Sequence, residues 1–514
     1  MEGEIIMNFV CLALFVCLFI YILVRAEWKK KKAAKSRGKV LPPGPWKLPI
    51  IGNLLHLGAS SLPAHRILGD LAKRYGSSSG LMHLKIGEIS TVVVSSREMA
   101  KEFLRTQDLV FASRAELMGA KILMYNCSDI AFSPYGDHWR QMRKICVMEI
   151  FNPKRVRSFS SIREDEIHNL LSDVRSSSER PVNLSKRMSL FTSSLICRSA
   201  LGRVFSGREK LIELFEEILE ALGEFEFADV FPSLKFLHGL CGNKNRMLQL
   251  HRKVDPILEN IIKEHEKKLE SGELLGGEGE DIIDVLVKLE RNGGHQLPIT
   301  HDIIKATILD VFIAGTETSS TTVLWAMSEL MKNPGVLAKA QAEVREAFRG
   351  KEKLEEDDAI IEQLEYLKSV VKETLRCHPP APLLAPRECR EETVVCGYTI
   401  SQGVRVLINV WAIGRDPQYW ENPDSFIPGR FDNNSIDFMG NHFEFLPFGG
   451  GRRICPGLAL GLANTISPLA HLLYHFDWNF IPGMTADTLD MTEVVGITAG
   501  RNKDLFLIPT PAVN

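Results

Sequence analysis

The sequence predicts one large, mainly α-helical domain with a smaller β portion, behind a single N-terminal transmembrane helix. Three observations predict it. Residues 5–24 form a twenty-residue apolar run broken only by Asn8. A helical pattern of more than thirty residues lies between Thr300 and Pro334. Only two stretches in 514 residues are rich in strand formers. Hydrophobic content of 45% and charged content of 25% are ordinary for a chain with a large core.

The apolar run would span roughly 30 Å as a helix, the thickness of a bilayer's hydrocarbon core. A cleaved signal peptide would carry its basic residues before the run and small residues after it. Here Glu2 and Glu4 precede it, and Arg25, Lys29, Lys30, Lys31, Lys32, Lys35, Arg37 and Lys39 follow against Glu27 alone. Residues 1–24 are therefore read as a retained anchor and 25–53 as a basic flank and proline-rich hinge. The remainder, 54–514, is one catalytic domain. Such a flank stays on the cytoplasmic side, which places that domain in the cytosol. The N-x-S sequons at Asn126, Asn183 and Asn433 are then expected to remain unglycosylated. Without the anchor's −2 and the flank's +7, a net charge of −2 becomes about −7 for the body. That argues against nucleic acid as a partner. Ten cysteines occur without a CxxC pair, so neither a zinc ribbon nor a disulfide framework is expected.

The stretch "LPPGPWKLPIIGN", Leu41 to Asn53, cannot continue a helix and reads as a stiff spacer. "LMHLKIG" and "STVVVSS" alternate around Gly87-Glu88 and read as a hairpin. "ESGELLGGEGED", from Glu270, is a surface connection. In the long helix, Thr300 caps the start and Pro334 ends it. Its centre is apolar nearly all round, yet carries Gly315, Thr316, Glu317, Thr318 and Ser319. Hydroxyls there can bend a helix by bonding to its carbonyls. A buried acid beside them is costly without a task. Glu373 and Arg376 share one helix face ahead of Pro379-Pro380, as do Trp139 and Arg143 on another. The second β-rich stretch covers Glu392 to Gly414.

Cys455 stands in "PFGGGRRICPG", Pro447 to Gly457. A free cysteine is most often a buried structural thiol. In this loop, however, Gly449, Gly450, Gly451 and Gly457 allow close backbone approach. Arg452 and Arg453 are expected to lower the thiol's pKa, and the helix from Leu458 favours an anion at its start. An activated nucleophile would need a partner base, which the loop lacks. A metal-ligating thiolate suits it better.

Phe448, Gly451, Arg453, Cys455 and Gly457 match F-x-x-G-x-R-x-C-x-G, and the segment resembles the haem-binding loop of the cytochrome P-450 family. The resemblance extends in order from the proline hinge to the C-terminus. It implies the cytochrome P-450 fold, haem b with Cys455 as axial ligand, and Phe448 packed near the sulfur. It implies that Trp139, Arg143, Arg387 and Arg453 reach haem propionates. The run from Ala314 to Ser319 is similar to the family's oxygen-binding motif, which puts Ala314 and Gly315 beside the cofactor. Thr318 and Glu317 would then organise water and deliver protons. Glu373, Arg376 and Arg430 correspond to the family's structural cluster, although Gly429 stands where glutamate is common.

The activity implied is insertion of one atom of O2 into an apolar small molecule, with electrons from NADPH. No Rossmann fingerprint, P-loop or flavin segment is present, so electrons reach the haem through a separate NADPH–cytochrome reductase. Arg140, Lys144, Lys154 and Arg155 are candidates for its docking face. The whole is similar to plant microsomal members of the endoplasmic reticulum membrane, in particular to those oxidising sesqui- or diterpenoids. Phenylpropanoid, flavonoid or alkaloid oxidation stays open. A haem-thiolate isomerase or dehydratase would tend to lose the helix threonine, and a non-catalytic haem sensor would need no proton relay. Residues expected along the pocket are 118–124, 225–236, Phe312, Ile313, Leu383, Leu384 and 494–498.

Overall fold

The computed structural model describes residues 39–512 apart from 59, 203–207, 224–226, 235–242, 272–279, 295, 350–356, 433 and 495. The apolar run, most of the basic flank, the Asn433 sequon and parts of two expected pocket segments lie outside the described residues. Among those described, no helix is long and apolar enough to cross a membrane.

Eleven helices of nine residues or more carry the architecture. They are α1 (Ala64–Tyr75), α2 (Asp137–Ile145), α3 (Ser160–Ser176), α4 (Leu184–Leu201), α5 (Arg208–Gly223) and α6 (Asn243–Glu270), followed by α7 (Ile282–Asn292), α8 (His301–Lys332), α9 (Pro334–Ala347), α10 (Glu365–Cys377) and α11 (Leu458–His475). Nine short strands form the smaller β portion. β1 (Leu81–Ile86) and β2 (Ile89–Val94) make the expected hairpin, and β3 is Val182–Asn183. β4 (Arg387–Glu388), β5 (Thr393–Val395), β6 (Tyr398–Ile400), β7 (Arg405–Ile408), β8 (Phe476–Phe480) and β9 (Phe506–Pro511) complete the set. The largest sheet runs β1-β2-β7-β4, the next β3-β9-β8, and β5 pairs with β6. The second β-rich stretch thus yields three strands, but its end turns helical over Val410–Ile413. There the Asn409 side chain accepts from the Ala412 amide and caps a new turn.

Helix α8 is the axis of the molecule. Its 32 residues extend about 48 Å. Thr300 Oγ1 accepts from the Ile303 amide at 3.4 Å, and the helix ends just before Pro334. Hydroxyls along it bond back to carbonyls one turn earlier: Thr307 to Ile303, Thr318 to Ala314, Ser320 to Thr316 and Thr322 to Thr318. Burying polar side chains in this way removes the cost of leaving them unpaired. Helix α4 packs closely on α8, and a Cβ at Gly315 would stand 2.7 Å from Ile196 Cδ1. A larger residue there would require the Ile196 side chain to move.

The Glu373–Arg376–Arg430 cluster forms as expected. Arg376 donates from Nε to Glu373 Oε2 at 2.7 Å and from Nη2 to Oε1 at 2.9 Å. Arg430 Nε reaches the same Oε1 at 2.9 Å, so the missing glutamate at Gly429 does not undo the contact. Arg376 also donates to the carbonyls of Gly414, Pro423 and Ser425, tying α10 to the chain that leads into the cysteine loop. Both Glu373 and Arg376 side chains are 0% exposed. Removing the carboxylate strands two guanidinium groups, one of them fully buried. Glu373→Ala is expected to destabilise the protein by about 3–5 kcal/mol, read as a lowered unfolding midpoint in denaturant.

Candidate functional site

The loop that carries Cys455 is shaped by its glycines. Gly451 has φ of +65°, and a Cβ there would lie 2.1 Å from the Leu104 carbonyl oxygen. Only glycine meets both conditions. The Cys455 amide donates to the Phe448 carbonyl at 3.0 Å, closing the loop under the thiol. Helix α11 begins three residues later. The sulfur opens into an internal cavity of about 340 Å³, walled by α8, by α11 and by the segment after α10.

Most site residues named from the sequence meet on this cavity. Trp139, Arg143, Ala314, Gly315, Thr318, Leu384, Arg387, Phe448, Arg453 and Cys455 all line it. Ala314 is exposed in the middle of an otherwise buried helix because it faces this space. Glu317 does not line the cavity. Its carboxylate is held by Thr498, which donates to Oε2 at 2.8 Å. Burial raises the Glu317 pKa, the Thr498 bond opposes that rise, and Glu216 adds to it. Of the expected pocket residues, Leu384 is at the wall, whereas Phe312 is buried against Phe215 at 4.1 Å between ring centroids. Met118, Met124, Ile313, Leu383, Val494 and Thr498 also stand off the cavity.

The loop arginines do not act as the sequence suggested. Arg453 points away from the sulfur and donates to the carbonyls of Ala112 (2.8 Å), Ile130 (3.1 Å) and Ser133 (2.6 Å). Arg452 is half-exposed and pairs with Asp108 at 3.3 Å. The cation that acts on Cys455 is Arg143. Burial pushes the thiol's pKa up, while the Gly457 amide and the Arg143 charge pull it down. The net direction is upward, so the expected lowering by neighbouring arginines is not seen. Of the four residues considered for a docking face, Arg155 is tied to Glu280 at 3.0 Å and Arg140 to Asp137, while Lys144 and Lys154 are exposed.

A fourth cavity arginine carries no motif in the sequence. Arg114 is buried and donates to the carbonyls of Ala131 (3.0 Å), Ala385 and Pro386 (3.1 Å). It lies in "FASRAE" with no spacing signal to mark it, and only the fold brings it to the cavity. Arg387 donates to Asp108 at 3.3 Å and to the Gly450 carbonyl at 2.9 Å. Four guanidinium groups, from Arg114, Arg143, Arg387 and Arg453, therefore line one space whose only acidic lining residue among the described residues is Asp310. Burial and the Arg387 charge push the Arg453 pKa down to about 9, and Arg114 is lowered by burial, Arg387 and Arg453 together.

This wall suits a flat apolar guest with two carboxylates. Trp139 Nε1 is buried without a hydrogen-bond partner, and Arg143 forms no ion pair with a described residue. An orphaned buried donor carries a cost that an anionic acceptor removes. Haem b supplies such acceptors in its propionates, an apolar ring for Val311, Ala314, Leu384 and Leu460, and an iron for the Cys455 sulfur.

The cytochrome P450 family profile matches residues 42–506. The chain is 57% identical over 497 residues to premnaspirodiene oxygenase of Hyoscyamus muticus, covering 96% of this chain and 98% of that protein. It is 55% identical over 499 residues to 5-epiaristolochene 1,3-dihydroxylase of Nicotiana tabacum, covering 96% and 98%. A zebrafish cytochrome P450 solved with progesterone superposes with a TM-score of 0.75 at 24% identity, over 88% of this chain and all of that one, a likeness of fold.

Arg114→Leu removes a cavity cation together with its three carbonyl contacts. It is expected to weaken haem retention roughly tenfold. The ratio of Soret to protein absorbance after gel filtration measures this, with Lys144→Leu on the exposed surface as the unaffected control.

Proposed function

The chain belongs to the cytochrome P450 family, a haem-thiolate monooxygenase supplied with electrons by a reductase, and on that premise we propose that its substrate is a sesquiterpenoid or diterpenoid hydrocarbon. The observation that carries this reading is the identity, above half over nearly the whole chain, with two relatives named for oxygenating premnaspirodiene and 5-epiaristolochene. The cavity supports it. Beyond the arginines its wall is mainly Val311, Ala314, Leu375, Leu384 and Leu460, which offer surface contact and little hydrogen bonding to a guest.

When bound, haem with a thiolate ligand supplies activation of dioxygen, with electron density pushed from the sulfur favouring O–O cleavage. The chain's own residues bind and orient around it. Cys455 presents the sulfur, with the loop closed through the Phe448 carbonyl. Arg114, Arg143, Arg387, Arg453 and Trp139, which line the cavity, would hold the propionates. Thr318 lines the cavity and donates its own proton to the Ala314 carbonyl at 2.6 Å, which leaves its oxygen free to accept from water there. Glu317, whose pKa burial raises against the Thr498 bond, is the neighbouring acid that exchanges protons with that water.

Residues 5–24 anchor the protein in the endoplasmic reticulum membrane, with the catalytic domain in the cytosol. Exposed Val40, Leu41, Trp46, Leu55 and Leu62, where the described chain begins, support a lipid-facing edge. Exposed Lys144 and Lys154 support docking of an NADPH–cytochrome reductase on the face of the C-terminal end of α2.

Two measurements test this. Co-expression in yeast with a reductase and a panel of terpene synthases is expected to give oxidised terpenoids, whereas oxidised phenylpropanoids, flavonoids or alkaloids alone would reject the substrate class. Thr318→Ala is expected to lower product formed per NADPH several-fold, with the balance released as hydrogen peroxide. Unchanged coupling would remove Thr318 from proton handling.

A further inference from the structure

Glu317 lies on the cavity helix, but its carboxylate is held elsewhere. Among the described residues it forms no ion pair, and Thr498 is the one side-chain donor to its carboxylate, at 2.8 Å. The charged group that faces it is Glu216 on α5, a second acid rather than a counter-ion. Against α8 on the same side stands the C-terminal loop that carries Thr498.

That loop is pinned independently of Glu317. The Ala499 amide donates to the Pro380 carbonyl at 2.9 Å, and the Ala499 carbonyl accepts from Trp325 Nε1 at 2.9 Å. Arg501 Nη1 donates to Ser328 Oγ at 2.7 Å. Trp325 and Ser328 are on α8, two and three turns beyond Glu317, so loop and helix form one frame. Thr498 itself is 7% exposed. Its hydroxyl is thus placed by the frame before it meets the acid, and its β-branched side chain has little rotational freedom.

We propose that Thr498 is a positioning residue for Glu317: its hydroxyl fixes the carboxyl, so that the C-terminal loop sets the orientation of the acid. This rests on the reading of Glu317 as the proton-handling residue. The physical consequence follows from the chemistry of the bond. A hydroxyl donating to a carboxylate favours the charged form. Loss of the donor leaves a buried acid facing only Glu216, and the acid keeps its proton to higher pH. Valine at 498 preserves shape and removes the donor, whereas serine preserves the donor.

The test is an infrared titration of the resting holoenzyme. The carboxyl stretch of Glu317 is assigned by its loss in Glu317→Gln, and product per NADPH is measured in parallel. Thr498→Val is expected to raise the titration midpoint of that band by about one pH unit, the size of one hydrogen bond to a charged group. Coupling falls with it, and Thr498→Ser restores both. A band in Thr498→Val that titrates as in the wild type overturns the proposal, as does failure of serine to restore it. Should the valine variant not fold, Thr498→Ala gives the same readout. If Glu317→Gln keeps wild-type coupling while Thr498→Val still shifts the band, the positioning stands and only the role assigned to Glu317 falls.

Discussion

Four guanidinium groups around one cavity, offset in part by Asp108 on Arg387 and by Asp310 on the wall, are the constraint on which the rest of the site depends. Charge of one sign is costly to bury, and its cost shows in the lowered pKa values of Arg114, Arg387 and Arg453. The chain relieves part of it with backbone carbonyls. Those of Phe111, Ala112, Ala131, Ser133, Ala385, Pro386 and Gly450 converge on the arginines from loops far apart in sequence. The arginines therefore gather the loops that wall the cavity, and a doubly anionic cofactor completes the neutralisation.

The thiol follows from this arrangement. Cys455 needs no adjacent base and no strong lowering of its pKa, because the metal itself displaces the proton from a ligand thiol. What the loop supplies is geometry: a left-handed Gly451 that lets the backbone pass Leu104, and an amide bond that closes on Phe448. On another wall, α8 brings Ala314, Gly315 and Thr318 to the cavity, while the Glu317 carboxylate is held by Thr498.

Some of this was legible in the sequence because the chemistry is local. The cysteine loop, the helix from Thr300 to Pro334, the β1–β2 hairpin and the Glu373–Arg376 pair are each written in a few consecutive residues with a turn or helical period. What spacing leaves open is the direction of a side chain, not its presence. Arg453 is in the cavity wall, but its carbonyl partners come from residues 112–133, more than three hundred positions away. Arg155 has an unforeseeable partner in Glu280, and Phe312 finds Phe215 instead of the cavity. Arg114 carried no pattern at all. Side-chain direction is decided by long-range packing, which spacing does not record.

The central claim is that the Cys455 sulfur is bound as thiolate to haem iron, with the arginines holding the other edge of the cofactor. Reduction of the purified protein under carbon monoxide measures it most directly. A Soret band displaced far to the red in wild type, absent from Cys455→His protein that still carries haem, is the expected result. A haem-loaded, folded wild-type protein with no displaced band, or a histidine variant that keeps it, would contradict the account.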